Sequence, residues 1–264
     1  MSFWENTRKP VGLGGKLMVS LMNLGHSPVA WWGLRFLNVA PDAKVLDCGC
    51  GGGANIKRLL KKCPQGIVKG IDYSLVSVEK SQKVNADAIA KGRCTILQGS
   101  VAKRIFAEGW FDAVTAFETV YFWPELPQCF HEIHRMLKPG GKLLALYMAW
   151  LPYEDEIAGR SEELVLKYSP AWSGAGETMH PIQIPDCYNT HFDLIHHEEY
   201  KLDVHFSRDS WHGRMKACRG VGASLNEEEL QSWEQEHLKL LSEIAPEEFD
   251  IKHYAALVEL KARK

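Results

Sequence analysis

The chain has 264 residues, of which 45% are hydrophobic, and its 31 Lys and Arg against 33 Asp and Glu give a net charge of −2. This composition suffices for one large core and gives no general attraction to polyanions, so a nucleic-acid partner is not expected. Seven cysteines without paired spacing argue against a secreted disulfide framework. The apolar stretch 17–24 predicts a helix too short to span a membrane, so we expect no membrane association and one cytoplasmic domain, 1–264.

A short apolar strand ends at Asp47 and is followed by a glycine-dense turn. Glycine can adopt a positive φ and lets a ligand approach the backbone, which a side chain at Gly49, Gly51 or Gly53 would obstruct. Apolar spacing over 54–60 predicts a helix directly after the turn. Strand, glycine turn and helix in this order form the first half of a Rossmann-like unit.

A second short strand, 67–72, ends in Asp72, where an acid can accept hydrogen bonds from ribose hydroxyls. NAD and S-adenosylmethionine both fit the pattern to this point. Asp47 would repel a pyrophosphate but suits a cationic sulfonium ligand with an α-amino group, and the chain has no phosphate-favouring Gly-x-Gly-x-x-Gly register. The turn therefore favours S-adenosylmethionine.

Further along the chain, residues 111–118 predict strand four with a polar exit. Residues 137–146 predict the end of a helix, a Pro-Gly-Gly turn and strand five.

Four motifs follow one another in order: Asp47-Cys48-Gly49-Cys50-Gly51, Gly70-Ile71-Asp72, Phe111-Asp112 and Leu137-Lys138-Pro139-Gly140-Gly141. On these motifs the chain resembles class I S-adenosylmethionine-dependent methyltransferases of the small-molecule type over roughly residues 40–150. The resemblance implies an α/β fold, with a Rossmann-like seven-stranded sheet and helices on both faces. It also implies a cofactor-binding core at 39–150.

The same resemblance assigns the cofactor site. It places Asp47, Gly49 and Gly51 at the methionine side and Asp72 at the ribose. Where the family commonly has an acid for the adenine amine, this chain has Gly99-Ser100-Val101, so the Ser100 hydroxyl or the Val101 amide would serve there. The expected cofactor-binding residues are Asp47, Gly49, Cys50, Gly51, Asn55, Asp72, Tyr73, Ser100, Val101, Phe117 and Phe122.

Segments outside the core are expected to cover the site. In similar methyltransferases an N-terminal helix often closes over the cofactor, so we interpret 1–38 as a helical lid, with Met22, His26 and Trp32 facing the site. The alternative is a helix packed on the sheet edge. Residues 151–190 contain four prolines and several aromatic residues, which predicts a helix near 154–168, then an irregular loop. We interpret this segment as a substrate cap inserted before strand six.

The C-terminal segment, 191–264, predicts strand six at 191–206 and helices at 209–219 and 226–244, with Asn226 as an N-cap. Strand seven follows at 249–260 and closes the sheet, as the resemblance implies.

A general base is needed only if the acceptor loses a proton during the reaction. The candidates for such a catalytic role are Glu118, Tyr121 and His180. The aromatic run at 121–123 would suit an apolar or planar acceptor and the sulfonium charge, with packing against the sheet as the alternative. His26, Trp123, Trp172 and Arg214 are further substrate candidates. Arg214 and Arg219 could clamp a carboxylate, or could be surface residues flanking the buried Trp211 and Met215.

A metal site is not expected. His191, His197 and His205 on one strand would lie too far apart to share an ion, and Cys48 and Cys50 are more simply small packing residues. We expect methyl transfer to a small molecule by in-line attack on the sulfonium methyl. Transfer to RNA or protein, or cofactor binding without catalysis, stays open as an alternative.

Overall fold

The computed structural model describes residues 27–103, 105–184 and 190–264. Met22, His26 and the predicted helix at 17–24 lie outside these ranges. The described chain divides into two compact units. We call residues 27–147, 181–198 and 256–264 the sheet unit, and residues 148–180 and 199–255 the helical unit.

Seven strands form one mixed sheet in the order β3-β2-β1-β4-β5-β7-β6, which confirms the predicted Rossmann-like architecture. Neighbours among the first five strands pair in parallel. The central strand β1 is buried from Val45 to Cys48, as expected for a parallel strand covered on both faces. The strands are β1 Lys44–Cys48, β2 Ile67–Asp72, β3 Cys94–Gln98, β4 Phe111–Phe117, β5 Leu137–Trp150, β6 Phe192–Ser207 and β7 Glu248–Ala262.

The sheet unit contains five α-helices and a 3₁₀ turn in its described part. Helix α2 follows the glycine turn and packs Ile56, Leu59 and Leu60 onto the sheet, as its spacing predicts. Ser74 caps α3 by accepting a hydrogen bond from the backbone of Ser77. The helices are α1 Ser27–Leu34, α2 Ala54–Lys62, α3 Leu75–Val84, α4 Ala86–Ala90 and α5 Leu126–Met136, and the 3₁₀ turn is Val120–Phe122.

Helix α1 is the described part of the predicted lid. Trp32 is buried and its ring contacts Phe36 edge-on, at 5.4 Å between centroids. A side chain at Gly33 would contact Leu146 and Phe117, so the helix lies against β4 and β5. This packing supports the alternative of a helix fixed to the sheet for residues 27–34.

The sequence predicted a Pro-Gly-Gly turn before strand five. In the structure these residues belong to the strand itself. Strand β5 starts at Leu137, opposite Phe111, and the next paired residue is Lys142, opposite Ala113. The extra residues of β5 form a bulge in which Gly140 has φ 78°. A bulge keeps the chain in the sheet, which explains why β5 continues through the Pro-Gly-Gly motif.

The helical unit has its own apolar core, built around Trp211, Met215 and Trp233. The predicted single helix at 209–219 is two helices, because the chain leaves helical geometry at Cys218, which has extended backbone angles. Asn226 caps the long C-terminal helix, as predicted. The helices are α6 Glu156–Tyr168, α7 Arg208–Lys216, α8 Arg219–Gly222 and α9 Glu227–Ile244. No helix in the described ranges is both long and apolar enough to cross a membrane.

A buried histidine joins α6 to α9. His237 is fully buried, stacks on Trp233 at 4.7 Å, and lies 3.1 Å from Ser161 Oγ through Nε2. The Ser161 hydroxyl donates to the Ile157 carbonyl, so Nε2 of His237 must donate to it. Burial, reinforced by the neighbouring His212, lowers the pKa of His237 to about 3. The imidazole is therefore neutral in the folded protein.

We expect the helical unit to lose stability in acid because of His237. In the unfolded chain the imidazole takes up a proton below its ordinary pKa of about 6.5, whereas the folded unit keeps it neutral down to about pH 3. The stability that neutral His237 contributes is therefore fully present well above pH 6.5 and falls by about 2 kcal/mol at pH 5. Urea unfolding of wild type and His237→Phe at pH 7.5 and pH 5 should show a smaller acid loss in the variant.

The control is His205→Gln. His205 is exposed and its pKa is raised by Asp250 and Glu248, so its contribution to stability is present at low pH and disappears as pH rises. Removing the His205 imidazole should therefore not reduce the loss of stability in acid. An equal acid loss in His237→Phe and wild type would contradict the assignment.

Candidate active site

The carboxyl ends of three parallel strands meet at one edge of the sheet. Asp47 of β1 is paired with Gly70 of β2 on one side and with Thr115 of β4 on the other. The turns that follow these strands therefore converge, which is the usual ligand-binding edge of an open α/β sheet. They bring Asp47, Gly51, Asp72 and Glu118 into one region.

Asp47 is a buried carboxylate, 1% exposed, that is only half satisfied. Its Oδ1 accepts a hydrogen bond from the Thr115 hydroxyl at 2.7 Å, and its Oδ2 has no hydrogen-bond partner among the described residues. Burial raises the pKa of Asp47 to about 7, against the hydrogen bond from Thr115 and the charge of Arg58. An ammonium group at Oδ2 would satisfy the buried acceptor and stabilise the ionised form.

The three glycines of the turn have different reasons for being glycine. A Cβ at Gly49 would overlap the Thr119 hydroxyl, and one at Gly53 would overlap Ser81. A Cβ at Gly51 would meet no atom of the described residues within 4 Å. At Gly49 and Gly53 the protein itself thus excludes a side chain, and all three glycines have the expected positive φ. The approach of a ligand to their backbone stays a prediction. Gly51 alone of the three faces open space.

Asp72 ties β2 to the glycine turn. Its Oδ2 accepts from the Gly51 amide and its Oδ1 from the Ser74 amide, both at 2.8 Å. Burial raises the pKa of Asp72 and these hydrogen bonds lower it. A carboxylate oxygen can accept more than one hydrogen bond, so Asp72 can also receive ribose hydroxyls. Tyr73, the next residue, is exposed.

The other expected cofactor residues differ in what their side chains can reach. Cys50 is buried with Sγ 3.9 Å from the Ser81 hydroxyl, and Val101 lies in the apolar core of the sheet unit. These two could serve a ligand only through their main chain. Asn55 accepts a hydrogen bond from Arg58 at 2.7 Å, and the Ser100 hydroxyl accepts one from the Ala102 amide.

Beyond the end of β4, Glu118 adopts the left-handed backbone conformation, with φ 57°. Such strain in a non-glycine residue costs about 1–3 kcal/mol and concentrates at functional sites. The Glu118 amide donates to the Leu146 carbonyl, and Oε2 accepts from the Tyr121 hydroxyl at 3.1 Å. Strand pairing and a side-chain contact therefore hold the carboxylate.

Three aromatic rings accompany Glu118, and we call them the aromatic cluster: Tyr121, Phe122 and Tyr147. The ring of Tyr121 lies 4.4 Å from that of Phe122 and 5.9 Å from that of Tyr147. Phe117, the last residue of β4, is buried and directly precedes Glu118 in the chain. Tyr147 was missed in the sequence because only strand pairing brings β5 to this turn.

Trp123 is turned toward the core instead. Its indole nitrogen donates to the Thr119 hydroxyl at 3.1 Å and its ring packs on Phe130. These contacts favour the packing alternative for Trp123.

The remaining candidates lie in the helical unit, apart from His26, which is outside the described residues. His180 pairs with Glu177 at 2.8 Å, and the Tyr254 hydroxyl also donates to Glu177. The guanidinium of Arg214 lies over the Trp150 ring at 4.6 Å. Trp172 packs into the apolar core of the unit. The described ranges contain no group of three or more His, Cys, Asp or Glu that could hold a metal.

Comparison with known proteins identifies the core. Residues 46–145 match the family described as "Methyltransferase domain". Cycloartenol-C-24-methyltransferase 1 of Oryza sativa is 34% identical over 104 residues, which cover 39% of this chain and 30% of that protein. Sterol 24-C-methyltransferase erg-4 of Neurospora crassa is 26% identical over 167 residues, covering 62% and 43%. The chain thus spans less than half the length of these curated relatives.

The fold is shared more widely. The structure of the YcgJ protein of Bacillus subtilis superimposes with a TM-score of 0.58, at 17% identity, over 90% of this chain and 100% of that one. Residues 46–145 are therefore a class I S-adenosylmethionine-dependent methyltransferase domain, and S-adenosylmethionine is its cofactor. The unsatisfied Oδ2 of Asp47, the open space at Gly51 and the carboxylate of Asp72 fit that ligand.

We expect the affinity for S-adenosylmethionine to rise with pH up to about pH 7, where Asp47 ionises. Below that pKa the carboxyl must lose a proton to receive the ligand's ammonium, so affinity should fall by about tenfold for each pH unit. Calorimetric titrations between pH 5.5 and pH 7.5 measure this slope. Asp47→Asn should bind more weakly and lose the slope.

The matched control is Asp112→Asn. Asp112 pairs with Lys138, and hydrogen bonds from Lys138 and Lys44 hold its pKa below the ordinary value, so it does not titrate in this range. This variant should keep the wild-type slope. The same slope in Asp47→Asn would show that another group controls binding.

Proposed function

We propose that this protein transfers the methyl group of S-adenosylmethionine to a carbon atom of a small, apolar, unsaturated acceptor. The supporting observation is the aromatic cluster beside the single carboxylate of Glu118 at the ends of β4 and β5. Apolar ring surface suits an apolar acceptor, and one acid within it suits the removal of one proton.

The bound cofactor supplies an electrophilic methyl group on a positively charged sulfur. Because the methyl group is already activated, the chain has chiefly to fix the two reactants in line and exclude water. Asp47, Gly51 and Asp72 would orient the cofactor from the ends of β1 and β2. Tyr121 and Tyr147 would present ring surface to the acceptor.

An alkene acceptor explains why rings and a carboxylate occur together. Its π electrons would form the new carbon–carbon bond to the methyl group while the methyl–sulfur bond breaks and its electron pair returns to sulfur. A positive charge would then be left on the neighbouring carbon of the acceptor. Ring faces attract such a charge. The carboxylate of Glu118 then removes a proton from the adjacent carbon, whose C–H electrons restore a double bond.

The relatives support this choice of acceptor atom. The Oryza and Neurospora proteins are both named as sterol-type C-methyltransferases. The near-neutral net charge also favours a small molecule over RNA, because nucleic-acid binding depends mainly on phosphate neutralisation by basic residues.

We expect the protein to transfer label from methyl-labelled S-adenosylmethionine to unsaturated sterols or terpenoids and not to their saturated counterparts. Mass spectrometry of the product would locate the added carbon. Total RNA and a mixture of denatured proteins are tested alongside. Label in RNA or protein alone, or in hydroxyl groups of saturated compounds, would contradict the proposal, and tight cofactor binding without any transfer would indicate a non-catalytic module.

Variants at the site sharpen this test. Glu118→Gln should lower kcat by roughly 100-fold or more without changing cofactor affinity, because it removes the base and keeps the shape. The control, Glu125→Gln, changes an exposed acid seven residues on that also has a positive φ. Tyr147→Leu should lower kcat by roughly fivefold, whereas Tyr147→Phe should not. Equal losses in the two Tyr147 variants would show that the hydroxyl acts instead of the ring.

A further inference from the structure

We propose that Arg58 binds the α-carboxylate of the cofactor's methionine, so that Asp47 and Arg58 together form a site for an amino-acid zwitterion. This inference extends the proposed function, because it names a residue of the cofactor site that neither the sequence motifs nor the relatives assign. It requires that the protein binds S-adenosylmethionine, but it does not depend on the acceptor.

Arg58 is held close to the glycine turn. It lies in the second turn of α2, the helix that begins at Ala54 directly after the glycine turn. Its Nη1 donates to Asn55 Oδ1 at 2.7 Å, and its Cζ lies 5.5 Å from the ring centroid of Trp31 in α1. Contacts from two helices therefore restrict the guanidinium before any ligand binds.

The charge of Arg58 reaches Asp47. Among the described residues, Arg58 is the cation whose charge lowers the pKa of the Asp47 carboxyl, and Asp47 in turn favours the charged form of Arg58 against its partial burial. A guanidinium keeps its charge throughout the ordinary pH range. The site thus presents a fixed positive charge whose field acts on a buried carboxyl group.

The chemistry of an amino acid requires such a pair. Its ammonium and carboxylate groups are bonded to the same carbon atom, so an ammonium at Asp47 Oδ2 brings the ligand's carboxylate near a second negative charge. In a buried site this repulsion opposes binding unless a cation is close. A guanidinium offers two parallel N–H donors that match a carboxylate.

The backbone amides at the start of α2 are the alternative donors for the same carboxylate, since a helix N-terminus attracts anions. Comparing two ligands distinguishes the two possibilities. Decarboxylated S-adenosylmethionine keeps the adenosine, the sulfonium and the ammonium but has no carboxylate. A residue that contacts the carboxylate affects only the affinity for the complete cofactor.

The experiment is calorimetric titration of both ligands into wild type, Arg58→Gln, Arg58→Lys and Lys57→Gln. We expect Arg58→Gln to weaken S-adenosylmethionine binding by 10-fold to 100-fold and decarboxylated S-adenosylmethionine binding by less than twofold. Arg58→Lys keeps the charge without the paired donors and should fall between wild type and Arg58→Gln. Lys57→Gln removes an adjacent exposed cation from the same helix and should change neither affinity.

Equal weakening of both ligands in Arg58→Gln would overturn the proposal, because Arg58 would then act on Asp47 or on the fold. Unchanged affinities would also overturn it and would place the carboxylate at the helix amides. Thermal melting of each variant identifies a folding defect, in which case Arg58→Lys decides. Failure of wild type to bind either ligand would reject the proposed function itself, a result distinct from both.

Discussion

The carboxylate of Asp47 is a negative charge enclosed within the sheet, and the rest of the site is arranged around it. One of its oxygens is satisfied by Thr115 from the neighbouring strand, and the other has no partner among the described residues. Leaving a buried acceptor unsatisfied costs about 1–3 kcal/mol, more if it is charged. A cationic ligand that completes the site would remove this cost. Burial also raises the pKa of the Asp47 carboxyl to about 7.

The parallel sheet makes this arrangement rigid. Pairing of β1 with β2 and β4 fixes where each strand ends, so that Asp72 can bind the Gly51 amide while Thr115 binds Asp47. Pairing of β4 with β5 likewise places the strained Glu118 where its amide donates to the Leu146 carbonyl. The expected cofactor residues and the proposed acceptor residues thus lie at or near the carboxyl ends of neighbouring strands.

Local patterns were sufficient for the parts of the site that are close in the sequence. Asp47, Gly51 and Asp72 were predicted as cofactor residues from the short signatures of a strand, a turn and a helix and from the family resemblance. Their contact with the cofactor stays a prediction. The roles of Thr115, Tyr147 and Arg58 depend on strand register or on contacts between helices, which one sequence does not contain. The same holds for Gly49, because the group that would overlap a side chain there is Thr119, seventy residues further along the chain.

The fold shows the same division. Six of the strands were predicted from the residue pattern and the seventh followed from the family resemblance, but the bulge in β5 was taken for a turn, because proline and glycine have the same signature in both. The break between α7 and α8 was not foreseen, since Cys218 has no side-chain feature that ends a helix. His26 and the domain boundaries proposed for the lid and cap stay predictions.

The most direct test of this account is a crystal structure of the protein with S-adenosylhomocysteine. The account predicts that the ligand's ammonium lies about 3 Å from Asp47 Oδ2, with the ribose hydroxyls at the carboxylate of Asp72 and the ligand passing over Gly51. A ligand bound at another edge of the sheet, or with its ammonium away from Asp47, would contradict the central claim that this buried carboxylate organises the site.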